Sequence, residues 1–527
     1  MKANYILSIL LAGLVLCTFN ACKKLELAPE DYFGSGNFWK NKSQVEGAML
    51  GLHSTLRGQQ FTLFTMGELR SGVFNSQTSG TGSSSLNSGN FIRQDIRESS
   101  PGLSGWAGFY ADIFQINNFI YQVGQTNFLS AEDKGYYLGQ AYGLRALYYF
   151  HLYRTFGRVP LATEPKVLTN TPTSSDQAYL PRAKSEKETL DFIKSDIGQS
   201  ETNFNNVFTT KNQKAQWSLA ATLMLKGEVY LWSAKVLTDG QNPSNTAADL
   251  SAARAALETI IPKYNLQGSF ASVFNSAGVP ANKGNNEIIF ALRYAYPEAA
   301  NAASQFVYQQ ADNMAGFLNA AGQPYTSDPL SIAGSSSIIR YEYKYDLFSR
   351  YDANDTRRAA TFFDYYKAPT ATNRFIMMTK FMGAITEGIR RFVDDIPMYR
   401  LPDAVLLLAE IKNKQGQDPS AEINRIRQRA YGNNPYPVYA NGSFEQNELA
   451  ILEERTKEFV FEGKRWYDLR RMQDASGSPL VFRKDLPLIG VLDKATEAYK
   501  LVLPIDRNTL NNDETLKNDQ NTGYPGT

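Results

Sequence analysis

Apolar positions along this chain follow mainly a helical period. A first helix is predicted around residues 43–56. Trp106, Tyr110, Ile113 and Asn117 share one face of a helix over residues 106–123. Tyr137, Ala141, Leu144, Tyr148 and Leu152 repeat that spacing, and Gly157 with Pro160 ends the segment. Residues 185–197 are amphipathic, with Ser185 and Glu188 spaced as a capping box. Residues 217–234 carry Leu219, Leu223, Gly227 and Tyr230. Asp249 is the expected cap of a helix over residues 250–261, which Pro262 stops. Pro402 in a first turn and Gly416 past the end bracket a helix over 401–414. Two more are predicted over 419–429 and 444–472. Small and large apolar residues alternate within these helices, as stacked helix–turn–helix units require. Their period is irregular, so the repeats are degenerate. The fold class read from this pattern is mostly α.

Two regions break the pattern. Residues 71–90 are rich in Ser, Gly, Thr and Asn with an isolated Phe74, and are expected to form a long surface loop. Within it, Gly80-Thr81-Gly82-Ser83-Ser84-Ser85 approaches a dinucleotide loop, but Ser85 replaces the last glycine and no apolar strand leads in. Residues 265–398 hold one strand-like run, Glu287-Ile288-Ile289-Phe290-Ala291-Leu292-Arg293-Tyr294, among polar and aromatic loops. They read as a loop-rich insertion. The resulting division is a leader at 1–21, a tether at 22–42, an N-terminal helical part at 43–264 with a surface loop at 71–95, the insertion at 265–398, and a C-terminal helical part with its tail at 399–527. Leu501-Val502-Leu503-Pro504-Ile505 is expected to be extended.

The leader changes the picture most. Lys2 is followed by an almost wholly apolar run over residues 5–19, then Asn20, Ala21 and Cys22. The run is shorter than the roughly 20 residues a membrane span needs. A small residue directly before cysteine is the arrangement of a bacterial lipoprotein signal, with Cys22 the expected first mature residue and acylation site. Phe19 and Asn20 depart from the usual residues there; the rival, Cys17, follows bulky Leu16. Only these two cysteines occur in 527 residues, so an exported body would hold no disulfide and must rely on packing. A net charge of +2 gives no electrostatic footprint for nucleic acid. Thirty Tyr and 31 Phe stand against two His, which favours stacking chemistry over imidazole chemistry.

Catalytic signatures are thin. His53 and His151 lie in separate helices, and no zinc, nucleophile-elbow or Walker pattern is present. No cofactor or metal is expected. Asp352, Asn354 and Asp355 approach a calcium loop, but Arg357 stands where glycine is required. Glu454, Glu458 and Glu462 recur every four residues on one helical stripe, a spacing open to the paired carboxylates of a glycoside hydrolase; Arg455, Lys457, Lys464 and Arg465 crowd them, so ion pairing within a packed helix is the expectation.

The run Glu453-Glu454-Arg455-Thr456-Lys457-Glu458-Phe459-Val460-Phe461-Glu462-Gly463-Lys464-Arg465-Trp466-Tyr467-Asp468-Leu469-Arg470-Arg471 resembles the C-terminal signature of the SusD/RagB family. Other segments agree in order: Trp106, Tyr110, Ile113 and Asn117; Gly143-Leu144-Arg145-Ala146-Leu147-Tyr148-Tyr149-Phe150-His151-Leu152 running to Leu161; Asn286-Glu287-Ile288-Ile289-Phe290; Asp355, Arg357 and Arg358; Pro397 to Glu410; Asn424 to Ala430; and a tail with Leu503-Pro504-Ile505 and Asn521-Thr522-Gly523-Tyr524. The resemblance implies a body of four tetratricopeptide-like helix pairs with a loop-rich ligand region. It also implies a non-enzymatic outer-membrane lipoprotein, seated on a TonB-dependent SusC-like transporter, that passes oligosaccharides to it. Some relatives take peptides instead.

The ligand surface is expected on two loop regions, because polar, aromatic-bearing loops on a rigid frame can stack sugar faces and satisfy hydroxyls. The first supplies Arg70, Phe74, Asn75, Phe91 and Arg93; the second supplies Tyr294, Tyr296, Tyr308 and Tyr325, with Phe306 beside them. The stretch 341–351 is the next choice. Arg70 and Arg93 leave an acidic sugar open. Trp106 is assigned to the scaffold. A peptide binder of the same family, a surface glycoside hydrolase and a purely structural adaptor are the competing functions.

Overall fold

The computed structural model describes residues 38–79, 85–103, 105–165, 180–274, 283–309, 314, 316–367 and 374–524. The leader, Cys22, most of the tether and the Gly80–Gly82 loop lie outside them. Helices dominate: α1 Lys42–Gly58, α2 Gln60–Glu68, α3 Ala107–Gln125, α4 Ala131–Phe156, α5 Glu186–Phe204, α6 Leu219–Lys235, α7 Thr246–Ile260, α8 Leu401–Lys414, α9 Ser420–Tyr431, α10 Phe444–Glu458 and α11 Arg465–Arg471. Consecutive helices pack on one another from α3 to α8, most extensively α4 on α5 and α6 on α7, and α8 then packs on α9 and α10. This is the mostly α, tetratricopeptide-like arrangement that the apolar period and the resemblance predict.

Local chemistry sets the helix ends. Asn41 caps α1 by accepting the Gln44 N–H, and Val45, Met49, Leu52 and Leu56 form its buried stripe. Ser185 caps α5 as predicted, but the Glu188 carboxylate reaches back to the Lys184 N–H rather than to Ser185. A complete capping box instead starts α10, at Ser443 and Gln446. Asp249 is not a cap: α7 begins at Thr246, and Asp249 accepts hydrogen bonds from Lys194 and Ser233 across to α5 and α6. Close helix approach needs Gly143, where a Cβ would lie 2.1 Å from the Trp217 indole nitrogen.

The predicted helix over 444–472 is two helices. Residues 459–464 interrupt it, with Phe461 and Gly463 at positive φ. The interruption is where α2 docks: a Cβ on Gly67 would sit 1.8 Å from the Gly463 carbonyl oxygen.

The strand-like run is β1, Ile288–Leu292, buried at every position. It pairs antiparallel with β6, Ile396–Arg400, which runs directly into α8. Between them lie two small hairpins, β2 Phe362–Tyr366 with β3 Arg374–Met378, and β4 Ala384–Thr386 with β5 Ile389–Arg391. The tail is not wholly extended: residues 498–501 form a 3-10 turn, after which the Leu503 N–H donates to the Thr155 carbonyl. The Asn521 amide ties that tail to the Phe156 and Leu503 carbonyls.

Two buried ionic networks join these elements. In the first, Arg400 reaches Glu287, Glu458 and Glu462 at 3.0, 2.6 and 2.8 Å. Arg357 reaches Asp355, Glu454 and Glu458 at 2.7, 3.0 and 3.2 Å. Arg429 joins Glu287 and Glu458, Arg427 joins Glu454, and Lys380 joins Glu462. Five cations thus meet five carboxylates. In the second, Lys235, Arg455, Lys464 and Arg471 meet Asp403, Glu410, Glu448 and Asp468. Charge balance matters because an unpaired charge in so dry a place costs several kcal/mol, on the order of the whole stability margin.

Candidate functional site

The two predicted loop regions meet through a third segment. Phe74 and Tyr343 form an isolated antiparallel bridge. The Asn75 N–H donates to the Glu342 carbonyl and the Lys344 N–H to the Val73 carbonyl, both at 2.8 Å. The Asn75 amide and the Ser79 hydroxyl both donate to the Glu342 carboxylate at 2.6 Å. Farther along, the Asn87 N–H donates to the Arg340 carbonyl, and the Arg340 guanidinium to the Ser85 carbonyl. On the other side, Ile338 N–H donates to Gln305, and Arg340 and Tyr341 N–H groups donate to Phe306. Residues 338–344 are therefore the strip that holds residues 73–79, residues 85–87 and residues 305–306 in one layer.

Most of the predicted contact residues face into this layer. Phe74 is buried against the Tyr343 ring at 4.3 Å, with Phe64 and Tyr341 beside it. The surface-loop reading of residues 71–79 fails for the same reason: Ser71, Val73, Phe74 and Ser79 are all buried, because backbone pairing with 342–344 seats the segment on the core. Phe91 is buried under Gly102. Arg70 is buried too; its guanidinium lies 4.0 Å over the Trp466 ring and donates to the Gln94 side chain. Burial lowers its pKa to about 9. Tyr294 is buried with its hydroxyl on the Arg57 carbonyl. Tyr308 is buried, stacked on Phe392 at 5.1 Å, with its hydroxyl on the Lys380 carbonyl. These five cannot touch a ligand at the surface of this structure. The alternative stretch is buried at Tyr341, Tyr343 and Tyr351.

The rest reach solvent to differing degrees. Arg93 is exposed, and its guanidinium is tied to the Ser76 carbonyl at 2.9 Å. Asn75 is half-buried and spends its amide on Glu342. Tyr296 is 44% exposed, under the Arg391 guanidinium at 5.0 Å. Tyr325 is half-buried against Phe363 at 5.5 Å.

A better-formed aromatic patch lies at the junction itself. Phe61 from α2 and Phe306 are half-buried, 5.6 Å apart and edge-on, with the Tyr341 ring 6.0 Å from Phe61. Burial pushes the Tyr341 hydroxyl pKa up, opposed by hydrogen bonds with Ser88 and Asn87 side chains. The exposed Asn87 side chain bonds the Tyr341 hydroxyl, and half-buried Arg340 precedes Tyr341 in the chain. Rings beside planar amides and guanidinium groups can stack a sugar face and bond its hydroxyls. Phe61 lies in α2, Gln60–Glu68, a helix outside those predicted from the sequence, the first of which ends at residue 56.

His53, Glu458 and Asp355, which the sequence offered as candidates for chemistry, are each engaged by neighbours. His53 is clamped between the Met49 carbonyl and the Trp217 N–H, and burial lowers its pKa to about 4. Burial would raise the Glu458 carboxyl, but Arg429, Arg400 and Arg357 overwhelm that and hold it well below the ordinary range. A general acid needs the opposite shift. Asp355 is bound to Arg357, and among the described residues no cluster of three or more His, Cys, Asp or Glu is placed to hold a metal.

Comparison with known proteins fits this frame. The SusD family profile matches residues 286–524, and a profile described as starch-binding, associating with the outer membrane, matches residues 61–230. A SusD superfamily protein of Bacteroides fragilis, known by crystal structure, is 36% identical; the alignment covers 93% of this chain and 100% of that one, with a TM-score of 0.84. This chain belongs to the SusD family. The SusD-like protein P38 of Formosa agariphila is 26% identical over 480 residues, covering 87% of this chain and 90% of that protein. The starch-binding protein SusD of Bacteroides thetaiotaomicron is 28% identical over 130 residues, 25% of this chain and 22% of that protein. Among the described residues of this SusD-family chain, no helix is long and apolar enough to cross a membrane.

The family signature residues belong to the scaffold. Glu454, Arg455, Glu458, Glu462, Lys464, Asp468 and Arg471 all sit in the two ionic networks. Tyr110, Asn117 and Arg145 instead bind the carbonyls of Pro160, Ala162 and Thr163.

Proposed function

We propose that this protein is a non-catalytic outer-membrane lipoprotein, anchored through Cys22, that binds oligosaccharides and delivers them to a TonB-dependent SusC-like transporter. The observation that carries the reading is the junction patch of half-buried Phe61 and Phe306, backed by the buried Tyr341 ring. It is ring-lined, bordered by the Asn87 amide and mounted on a helical frame whose Glu454, Glu458 and Glu462 are engaged in ion pairs. The starch-binding profile over residues 61–230 supports a glycan as the ligand class, and its outer-membrane description supports the location. The lipoprotein-type leader supports an anchor, and family analogy supports the cell exterior and the transporter partner.

Calorimetric titration with a panel of oligosaccharides tests the reading. Saturable binding without product is expected. Hydrolysis of any of them would restore the enzyme, and capture of peptides with no glycan binding would establish the peptide-binding alternative. For the anchor, Cys22→Ala should release the protein from membranes or trap its precursor; full partition with the outer membrane in cells lacking the transporter would exclude lipidation at Cys22.

A further inference from the structure

A second cleft opens where the short helices Tyr345–Ser349 and Arg357–Thr361 meet β2. Its volume is about 400 Å³, and Phe348 and Phe362 floor it. Exposed Asn354, Thr356 and Asn434 form its rim. At its side stands Arg358, half-buried, with its guanidinium 4.2 Å over the Phe348 ring. Its neighbours are otherwise committed. Asp355 is bound to Arg357, and Asp364 accepts a hydrogen bond from Arg374 at 3.0 Å. Arg374 in turn lies between the Tyr345 and Tyr366 rings, 5.0 and 4.8 Å from their centroids. Among the described residues, the Arg358 side chain has no hydrogen-bond or ion-pair partner. A guanidinium fixed on a ring, facing a cleft, with its donors unused, is pre-organised to bond two oxygens of an oxyanion.

We infer that this cleft is an anion subsite, which takes the carboxylate or sulfate ester of an acidic sugar unit on Arg358, with the rim amides on neighbouring hydroxyls. The inference rests on the glycan-binding reading and narrows it to a substrate class. Of the charged side chains that line the cleft, Asp355 pairs with Arg357 and Asp364 with Arg374 outside it, which leaves Arg358 as the one without an ion-pair partner. The site also shares its floor with the loop layer, since Phe362 packs on Tyr343, which packs on Phe74.

The test titrates the full-length protein, purified in detergent, with a uronate oligosaccharide, its carboxyl-reduced neutral counterpart and a sulfated oligosaccharide. At least one anionic ligand should bind the parent tenfold or more tightly than the neutral one, and Arg358→Gln should erase that preference without changing neutral binding or the melting temperature. Arg358→Lys should keep part of it, since charge remains and the fork is lost. The anionic ligand that loses affinity in Arg358→Gln identifies the oxyanion. Equal anionic binding by the parent and Arg358→Gln, or no anionic preference in the parent, overturns the inference. In the second case neutral binding leaves the glycan reading standing, whereas no binding of any oligosaccharide sinks both.

Discussion

The ionic networks around α8–α11 and the loop layer around residues 338–344 solve opposite problems. The networks bury full charges and cancel them one for one, and Arg400, Arg357 and Glu458 each hold three or more ionic contacts. The loop layer buries rings and backbone, and leaves amides, hydroxyls and the guanidinium groups of Arg93 and Arg340 near solvent. A buried ion pair adds little net stability over an apolar pair but strongly penalises any arrangement that separates it. The networks therefore fix how β6, α8, α9, α10 and the strip before β2 come together. The loops can then change side chains at the surface without disturbing the frame. That is why the family signature is legible and the ligand is not: the signature residues are the lock.

Removing one member of the lock should have the largest effect. Arg400 is fully buried among three carboxylates. Arg400→Met should cost about 3–5 kcal/mol or prevent folding, because Glu287, Glu458 and Glu462 lose their shared partner. Urea denaturation followed by circular dichroism measures this; a midpoint within error of the parent would mean the networks are incidental. Phe74→Ala comes next, at about 3–4 kcal/mol, by opening a cavity against Tyr343 and Phe64. Its sharper outcome is on binding: if affinity falls while stability holds, Phe74 is a ligand platform after all and the loop layer is not packed as described.

A third prediction separates the regions by pH. Glu68, at the end of α2, is buried; one carboxylate oxygen accepts the Phe461 N–H and the other has no partner. Burial raises its pKa from 4.5 to about 7. A carboxyl whose folded pKa is raised stabilises the fold fully below its unfolded pKa and loses that contribution as pH climbs to the folded value. Glu68→Gln, which cannot ionise, should match the parent near pH 4 and exceed it by up to about 3 kcal/mol at pH 9. Parallel stability curves for the two proteins across that range would show that Glu68 ionises freely.

How far the chain could be read follows from the same contrast. Helices over 43–56, 106–123, 217–234 and 401–414 were legible because their apolar stripes pack on neighbouring helices, which is what periodicity records. The break at 459–464 was not, although Gly463 marked it, because Glu454, Glu458 and Glu462 keep helical spacing across it. All three converge on buried cations, Arg357 and Arg400, from two different backbone geometries. In the loops, composition misled. Residues 71–79 look polar, yet hydrogen bonding to 342–344 supplies what apolar content lacks. Whether an aromatic in such a loop faces in or out depends on a partner nearly 270 residues away, as for Asn75 and Glu342. Local patterning holds no record of that.

The smallest expected effect is the one that decides where ligand sits. Phe306 is half-buried, with Phe61 at 5.6 Å and Tyr341 at 6.5 Å. Its ring supports no ionic pair, and the backbone carbonyl that receives Arg340 and Tyr341 survives substitution. Phe306→Ala should therefore lower stability modestly, by about 1 kcal/mol, since only part of the ring leaves water on folding. Binding of the best neutral oligosaccharide should weaken by about 1–2 kcal/mol, the scale of one stacked ring. Tyr296→Ala is the control, because that exposed ring contacts Arg391 and Glu387 rather than the junction. Loss of affinity in Phe306→Ala with none in Tyr296→Ala places the sugar at the junction of the two loops. The reverse moves it to the β4–β5 hairpin, and the strip at 338–344 would then be scaffold as surely as Arg400 is.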